Sequence, residues 1–364
     1  MSAPLRTALV GCGKIGRTHA LALTRLPESQ FVGCCDADAA RSAAFAAEFG
    51  GTAHASVDDL LRSARPEALL IATPHPLHAA PAVAALEAGV HVLVEKPLAA
   101  TVEDCDAMLD AADRGGATLG VVSQRRYYEP VVRMRRAIDA GKIGRPVLGL
   151  FLMYSWRDPA YYRSDPWRGR WATKDGAGEG GGVLVNQSPH QLDLLQWFLG
   201  EPEEVTGYWA NLNHPTVEVE DSAVAALRFR GGGLGSILTS LSQDPGIYTK
   251  VHVHGSNGAS VGVQTDTGAS FVAGVSGIAD PPLNDVWTIA GEQGELEAFR
   301  RQDAAAFAAV DGTTHYHELN IADFLRAVRD GAQPPVTGAE GRTVVAMFQA
   351  IYESNRTGRS VRLH

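Results

Sequence analysis

Cysteine is scarce in this chain. There are four in 364 residues, at 12, 34, 35 and 105, all in the first third. They show neither zinc-type spacing nor a disulfide framework, so no metal site and no oxidising compartment is expected. Long apolar runs are missing too. Nothing approaches the roughly eighteen residues that a membrane span needs, and the chain enters its first strand at once, which leaves no room for a signal peptide. Cytoplasm is the expected location. There is no basic block: 32 Lys and Arg stand against 41 Asp and Glu, a formal net charge of −9, which speaks against nucleic acid as a partner. Internal repeats and low-complexity segments are absent. Hydrophobic residues make up 45% and charged residues 20%, the balance of a globular chain whose length suggests two domains.

Glycine is plentiful, with 39 residues, and its first cluster carries meaning. Residues 6–10 read as a buried parallel strand that runs into Gly11-Cys12-Gly13-Lys14-Ile15-Gly16, a G-x-G-x-x-G pattern. Gly11 permits a tight turn, Gly13 lets backbone approach a pyrophosphate, and Gly16 lets helix pack closely on strand. A helix from about Lys14 to Leu26 then offers the N–H groups of Lys14, Ile15 and their neighbours, with the positive dipole end, to phosphate. A second strand, residues 30–35, ends at Asp36. An acid there bonds the ribose 2′-hydroxyl and repels a 2′-phosphate, favouring NAD over NADP. Arg41 is near enough to blunt that preference, and Asp38 is a candidate to share the acidic role.

Helices at 41–50, 57–64, 76–88 and 101–114 alternate with strands at 68–72, 90–94 and 118–123, giving a dinucleotide-binding domain over residues 1–124. The strand at 68–72 ends at Thr73-Pro74-His75, and the strand at 90–94 ends at Glu95-Lys96-Pro97. A solvated lysine is the plain reading of E-K-P alone. Its place at the C-terminal end of a parallel strand, where such sheets bind ligands, reverses that reading. Proline fixes the backbone after Lys96, possible in the cis form, so the amine is aimed. An aimed amine beside a nicotinamide suits alcohol oxidation, which needs a group to receive the hydroxyl proton.

Residues 125–364 have another rhythm. A helix at 131–140 and a strand at 146–156 lead to a loop, residues 161–182, rich in arginine, aromatics and glycine. Residues 183–199 read as helix. Strand-like runs follow at 204–211, 223–230, 234–242, 249–254 and 259–264, fitting an open, mostly antiparallel sheet. Residues 266–294 are weakly patterned, and helices at 319–329 and 341–355 close the chain. On a continuous helix Asn186, His190 and Asp193 share one face. Pro189 either bends that helix or marks its real first turn, with Ser188 as cap. A neutral His190 near a helix N-terminus suits proton exchange near neutral pH; the alternative is a helix-capping polar cluster. In the preceding loop Tyr161, Tyr162, Arg163, Trp167, Arg168, Arg170 and Trp171 supply aromatic faces and guanidinium forks for sugar rings, carboxylates or phosphates. A subunit-contact loop accounts for them equally well. His252-x-His254 and His315-x-His317 have strand-like spacing without clear further ligands, so alternating strand residues are expected there, not metal.

The order G-x-G-x-x-G, T-P-x-x-x-H (Thr73, Pro74, His78), E-K-P and G-G-x-x-x-N-x-x-x-H-x-x-D resembles the glucose–fructose oxidoreductase/inositol dehydrogenase (Gfo/Idh/MocA) family over nearly the whole chain. The resemblance extends to residues 138–146 and 350–354. It implies an α/β protein: an N-terminal Rossmann domain and a C-terminal α/β domain with an open antiparallel sheet, commonly used for oligomer contacts. The strands at 223–229 and 234–241 carry apolar residues at many positions, so one face of that sheet is expected to meet a second subunit, in a homodimer or homotetramer. It places the catalytic lysine at Lys96 and the catalytic histidine at His190. Asn186 stands where the family often has Asp; it can hydrogen-bond a substrate hydroxyl but cannot act as a base. To Gly11, Gly13, Lys14, Ile15, Gly16 and Asp36 the cofactor side adds Thr73, Pro74, His75, His78, Glu95 and Lys96. The substrate side takes Lys96, Tyr161, Arg163, Trp167, Arg168, Trp171, Asn186, His190 and Asp193. The expected activity is NAD-dependent oxidation of a secondary hydroxyl of a sugar, cyclitol or sugar derivative, or the reverse. The alternatives are NAD-assisted lyase or glycosidase chemistry and a non-catalytic NAD(H) sensor.

Overall fold

The computed structural model describes residues 3–164, 166–171, 181–266 and 280–363. The chain forms two compact units, one of residues up to 124 together with 313–345, the other of 125–312 together with 346–364.

The first unit is built on a six-stranded parallel sheet. Its strands are β1 (Leu5–Val10), β2 (Ser29–Cys35), β3 (Thr52–His54), β4 (Ala68–Ile71), β5 (His91–Val94) and β6 (Leu119–Val121). Their order is β3-β2-β1-β4-β5-β6. The order reverses between β1 and β4, so the crevice for a ligand opens at the C-terminal ends of those strands. Helices cover both faces, and the central strands are accordingly continuous apolar runs: every residue of β4 is buried. The short β3 was not expected from sequence. The core joins Leu9, Leu70 and Leu93 of the sheet to Leu23 and Phe45 of the early helices. It is completed by Ile321, Phe324 and Leu325 from a late helix, His315–Asp330. That helix reads from sequence as part of the C-terminal half, yet its Asn320 also accepts the buried Ser123 N–H at 2.8 Å.

The second unit carries an eight-stranded sheet of β7 (Pro146–Tyr154), β8 (Pro202–Ala210), β9 (Ser222–Phe229), β10 (Leu234–Ser240), β11 (Tyr248–Gly255), β12 (Ser260–Asp266), β13 (Leu283–Trp287) and β14 (Val361–Arg362). The order is β13-β12-β11-β7-β10-β9-β8-β14. All pairs are antiparallel except β7 with β10. One face packs on the helices Glu129–Asp139 and Pro189–Leu199. Gly149 is needed beneath the second of these, because a Cβ there would lie 2.6 Å from Leu199 and 2.8 Å from Leu195. The opposite face alternates outward, as period-two strands require. β13 falls in the stretch read as weakly patterned, and a helix at Leu296–Ala308 follows it.

Candidate active site

At the dinucleotide turn each glycine answers a different contact. Gly11 has a φ of +99°, and a Cβ on it would strike the Ala72 carbonyl group at 2.6 Å. A Cβ on Gly16 would lie 2.1 Å from the Gly11 carbonyl oxygen. At Gly13 a Cβ would meet nothing within 4 Å. The turn is therefore closed beneath and open above, as a backbone cradle for pyrophosphate must be. The helix Lys14–Arg25 begins there with no side-chain cap and no acid in its first turn, so its N–H groups and dipole remain suited to an anion. Asp36 closes the adjacent edge: its carboxylate accepts the Cys12 N–H at 2.8 Å and the Asp38 N–H at 2.9 Å. Arg41 Nη1 lies 3.3 and 3.5 Å from the two Asp36 oxygens. Asp38 is taken up otherwise, capping the helix Ala39–Phe49 by accepting the Ala40 and Arg41 N–H groups.

Lys96 follows the end of β5 on a turn anchored from both sides. Before it, Glu95 is buried, accepting the His19 Nε2–H at 2.7 Å and the N–H of Lys96 at 3.0 Å. Burial pushes the Glu95 carboxyl up, but the His19 hydrogen bond and the charges of His19, His317 and Lys96 outweigh it and hold it down at about 2. After it, the Lys96–Pro97 peptide is cis. Fully buried His78 places Nδ1 3.0 Å from the Pro97 carbonyl oxygen and 3.3 Å from that of Leu98, with Nε2 2.9 Å from that of Thr73. Burial pushes His78 below the ordinary histidine value against the pull of those carbonyls. Thr73 and Pro74 lead into the short turn His75–Leu77, where Thr73 Oγ1 donates to the Leu77 carbonyl at 3.1 Å. His75 packs edge-on to His78.

In the second unit the glycine run gives way to a π-helical turn, Val183–Gln187, and then to the helix Pro189–Leu199. Pro189 thus opens the helix, and Ser188 Oγ donates back to the Val183 carbonyl at 2.9 Å instead of capping forward. The π-turn is held from below by buried Glu220, which accepts the Gly182 N–H at 2.9 Å, the Leu184 N–H at 3.0 Å and the Tyr352 hydroxyl at 2.8 Å. Burial pushes this carboxyl up to about 7 against those three donors. The turn presents Asn186, whose Nδ2 donates to the Tyr161 hydroxyl at 2.7 Å. Around Tyr161 gather Arg168, with its guanidinium 4.6 Å from the ring centre, and buried Arg157, at 5.6 Å, which donates to Gln187 Oε1 at 2.8 Å.

His190 is buried in the first turn of its helix. Asp193 is engaged elsewhere, in a buried two-pronged ion pair with Arg126 at 2.7 and 2.6 Å. Arg163 is exposed, and Trp171 packs against Trp209 and Tyr352. The side chain of Trp167 lies outside the described part, as do residues 172–180. Sequence reading did not single out Arg157, Gln187, Glu220 or Tyr352. Gln187 alone had a local signal, as the neighbour of Asn186. The paired histidines have ordinary partners: His252 bonds Asp285, His254 bonds Ser260, and His317 donates to the Thr313 carbonyl. His315 and His317 sit on a helix, not on the strand that their spacing suggests. Among the described residues no group of three His, Cys, Asp or Glu gathers as a metal site, and no helix is long and apolar enough to cross a membrane.

The sequence matches two family models in tandem. The oxidoreductase family model with the NAD-binding Rossmann fold covers residues 5–123, and the GFO/IDH/MocA C-terminal domain covers residues 131–261. The chain belongs to the Gfo/Idh/MocA oxidoreductase family. Among similar members is the 1,5-anhydro-D-fructose reductase of Ensifer adhaerens, 28% identical over 98% of each chain. The scyllo-inositol 2-dehydrogenase (NADP(+)) of Bacillus subtilis is 27% identical over 82% of this chain and 79% of its own. The WlbA dehydrogenase from Bordetella pertussis, solved in complex with NADH and UDP-GlcNAcA, is 29% identical, with a TM-score of 0.85 over 100% of this chain and 99% of its own. This Gfo/Idh/MocA protein is an oxidoreductase with an NAD-binding Rossmann domain.

Proposed function

We propose that this protein is an NAD-dependent dehydrogenase that oxidises a secondary hydroxyl of a sugar, cyclitol or sugar derivative to a ketone, or runs the reverse. The observation that carries this reading is Lys96, held on a doubly anchored turn at the ligand-binding end of a dinucleotide sheet. A bound NAD supplies the hydride acceptor. Lys96 and His190 take up and pass on the hydroxyl proton, and Asn186, an amide and no base, orients the substrate hydroxyl. Gly11, Gly13, Lys14, Ile15 and Gly16 hold the pyrophosphate, Asp36 the ribose, and Thr73, Pro74, His75, His78 and Glu95 shape the cofactor side. Tyr161 with Arg168, joined by Arg163, Trp167 and Trp171, forms the substrate side. The aromatic and cationic character of that group supports a sugar carrying an anionic substituent, and the nucleotide sugar bound by the WlbA relative agrees with it. Asp193 supports this side through Arg126. In this reading residues 1–124 with 313–345 form the NAD domain, and 125–312 with 346–364 the substrate and oligomerisation domain, of a cytoplasmic homodimer or homotetramer.

A panel of sugars, cyclitols and nucleotide sugars, followed at the NADH absorbance band, tests the activity. With the substrate so found, Lys96→Ala is expected to bind NAD nearly as tightly as the wild type, because the glycine turn is untouched. Turnover should fall about a hundredfold or more, the usual contribution of a positioned acid–base group. Near-normal turnover in Lys96→Ala would overturn the mechanism.

A further inference from the structure

We infer that Glu95 and His19 are positioning residues for Lys96, tying the amine to the helix that begins at the dinucleotide turn; this rests on reading Lys96 as the proton-exchanging group. Glu95 uses its two oxygens in two directions. Oε1 accepts from His19, which lies on the helix Lys14–Arg25, and Oε2 accepts from the backbone N–H of Lys96 itself. One rigid carboxylate therefore spans from the cofactor-binding helix to the backbone of the residue that exchanges the proton. A third element meets them. The His317 ring, on the helix His315–Asp330, packs edge-on against His19 at 5.6 Å and is fixed by its bond to the Thr313 carbonyl at 3.2 Å.

A merely structural plug at this place would be apolar. Burying a carboxylate is costly unless it is paired, and a hydrocarbon of the same size would fill the space without that cost. The charged groups that act on this carboxylate are His19, His317 and Lys96. His19 Nδ1 is buried with no hydrogen-bond partner among the described residues, so the ring is aimed at Glu95 by its other nitrogen alone. On the far side of Lys96 the carbonyl oxygens of Pro97 and Leu98 lie 3.0 and 3.3 Å from Nδ1 of His78. The backbone of Lys96 is thus fixed at both ends, next in sequence to a buried carboxylate. That charge favours the cationic amine. Its removal lets Lys96 lose its proton at lower pH and loosens its aim.

The test uses the full-length protein and does not require the substrate. Wild type, Glu95→Gln, His19→Ala and His19→Gln are labelled with trace acetic anhydride across pH, and modification of Lys96 is read by peptide mass spectrometry. In Glu95→Gln the midpoint of Lys96 labelling should move down by about half a pH unit or more. Glutamine at 19 can return a donor near the position of His Nε2. His19→Gln should therefore keep the wild-type midpoint, and His19→Ala should depart from it. With a substrate from the panel, kcat should drop about tenfold in Glu95→Gln with KM little changed. A folded Glu95→Gln with an unmoved midpoint would overturn the inference. If that variant does not fold, equal midpoints in His19→Ala and wild type would overturn it. These outcomes are separate from Lys96→Ala retaining turnover, which would remove the catalytic reading instead.

Discussion

Asp36 faces three donors at once: the N–H groups of Cys12 and Asp38 and the guanidinium of Arg41. The first two aim the carboxylate across the end of the glycine turn. The third places a half-exposed cation where a 2′-phosphate would need one. The two side chains pull cofactor choice in opposite directions. We expect NADH to bind more tightly than NADPH, with the acid prevailing because it is fixed while the arginine is partly solvated. Arg41→Ala should widen the preference and Asp36→Ala should narrow it, each by about tenfold, which corresponds to the loss of one well-placed charge–charge contact. Fluorescence titrations with both cofactors measure this. NADPH binding as tightly as NADH in the wild type would refute it. The acid was legible in the sequence from its distance to the glycines. That Asp38 caps a helix was not, because capping depends on where the helix begins.

The π-turn Val183–Gln187 shows how one element depends on a distant side chain. Gly182 must lack a Cβ because that atom would lie 1.9 Å from the Glu220 carbonyl oxygen. Gly182→Ala should destabilise the protein by about 2–4 kcal/mol, since backbone must move to admit the methyl group; a melting temperature within a degree of wild type would contradict this. Glu220 adds a pH dependence. Its folded value is raised from 4.5 to about 7. The stability tied to its neutral form is therefore fully present below the unfolded value and is lost as pH rises through about 7. Between pH 5 and 8 this carboxyl should withdraw up to about 3 kcal/mol. Denaturant titrations of Glu220→Gln should show a flatter profile over that range, and parallel profiles in the two proteins would exclude the effect.

The glycine run and the histidine were visible in the sequence as local spacing. Glu220 and Tyr352 were not, because their partners lie far away along the chain. The helix Leu296–Ala308 was hidden for another reason: its buried residue is Asp303, ion-paired with Arg133, so no apolar period marks it. The parallel sheet, by contrast, was readable because strands buried on both faces are continuous apolar runs.

Across the whole molecule the outer face of the second sheet remains to be covered. Tyr208 and Val224, paired across β8 and β9, are 62% and 45% exposed, and Leu148 and Leu234, paired across β7 and β10, are 45% and 51% exposed. In register with Val224 stands Leu238, and with Leu238 stands Leu152, so apolar side chains cross four strands in a row. An isologous contact with a second copy would cover such a face. Sedimentation at micromolar concentration should show a dimer or tetramer. Tyr208→Asp combined with Val224→Asp should shift it toward monomer while NADH binding persists. Wild type running only as monomer would exclude this assembly.

The late helix His315–Asp330 bears on how the protein comes into being. Ile321, Phe324 and Leu325 complete a core whose other members are all encoded before residue 123. On the ribosome the nucleotide-binding half must therefore wait, with its apolar interior open, while strands β7 to β13 of the second sheet emerge. A fragment ending at residue 124 should be captured by chaperones or aggregate, and supplying residues 313–345 as a separate peptide should rescue it. Folding of this half therefore waits until the chain has been made through residue 325 or so, although most of its sheet is in hand two hundred residues earlier.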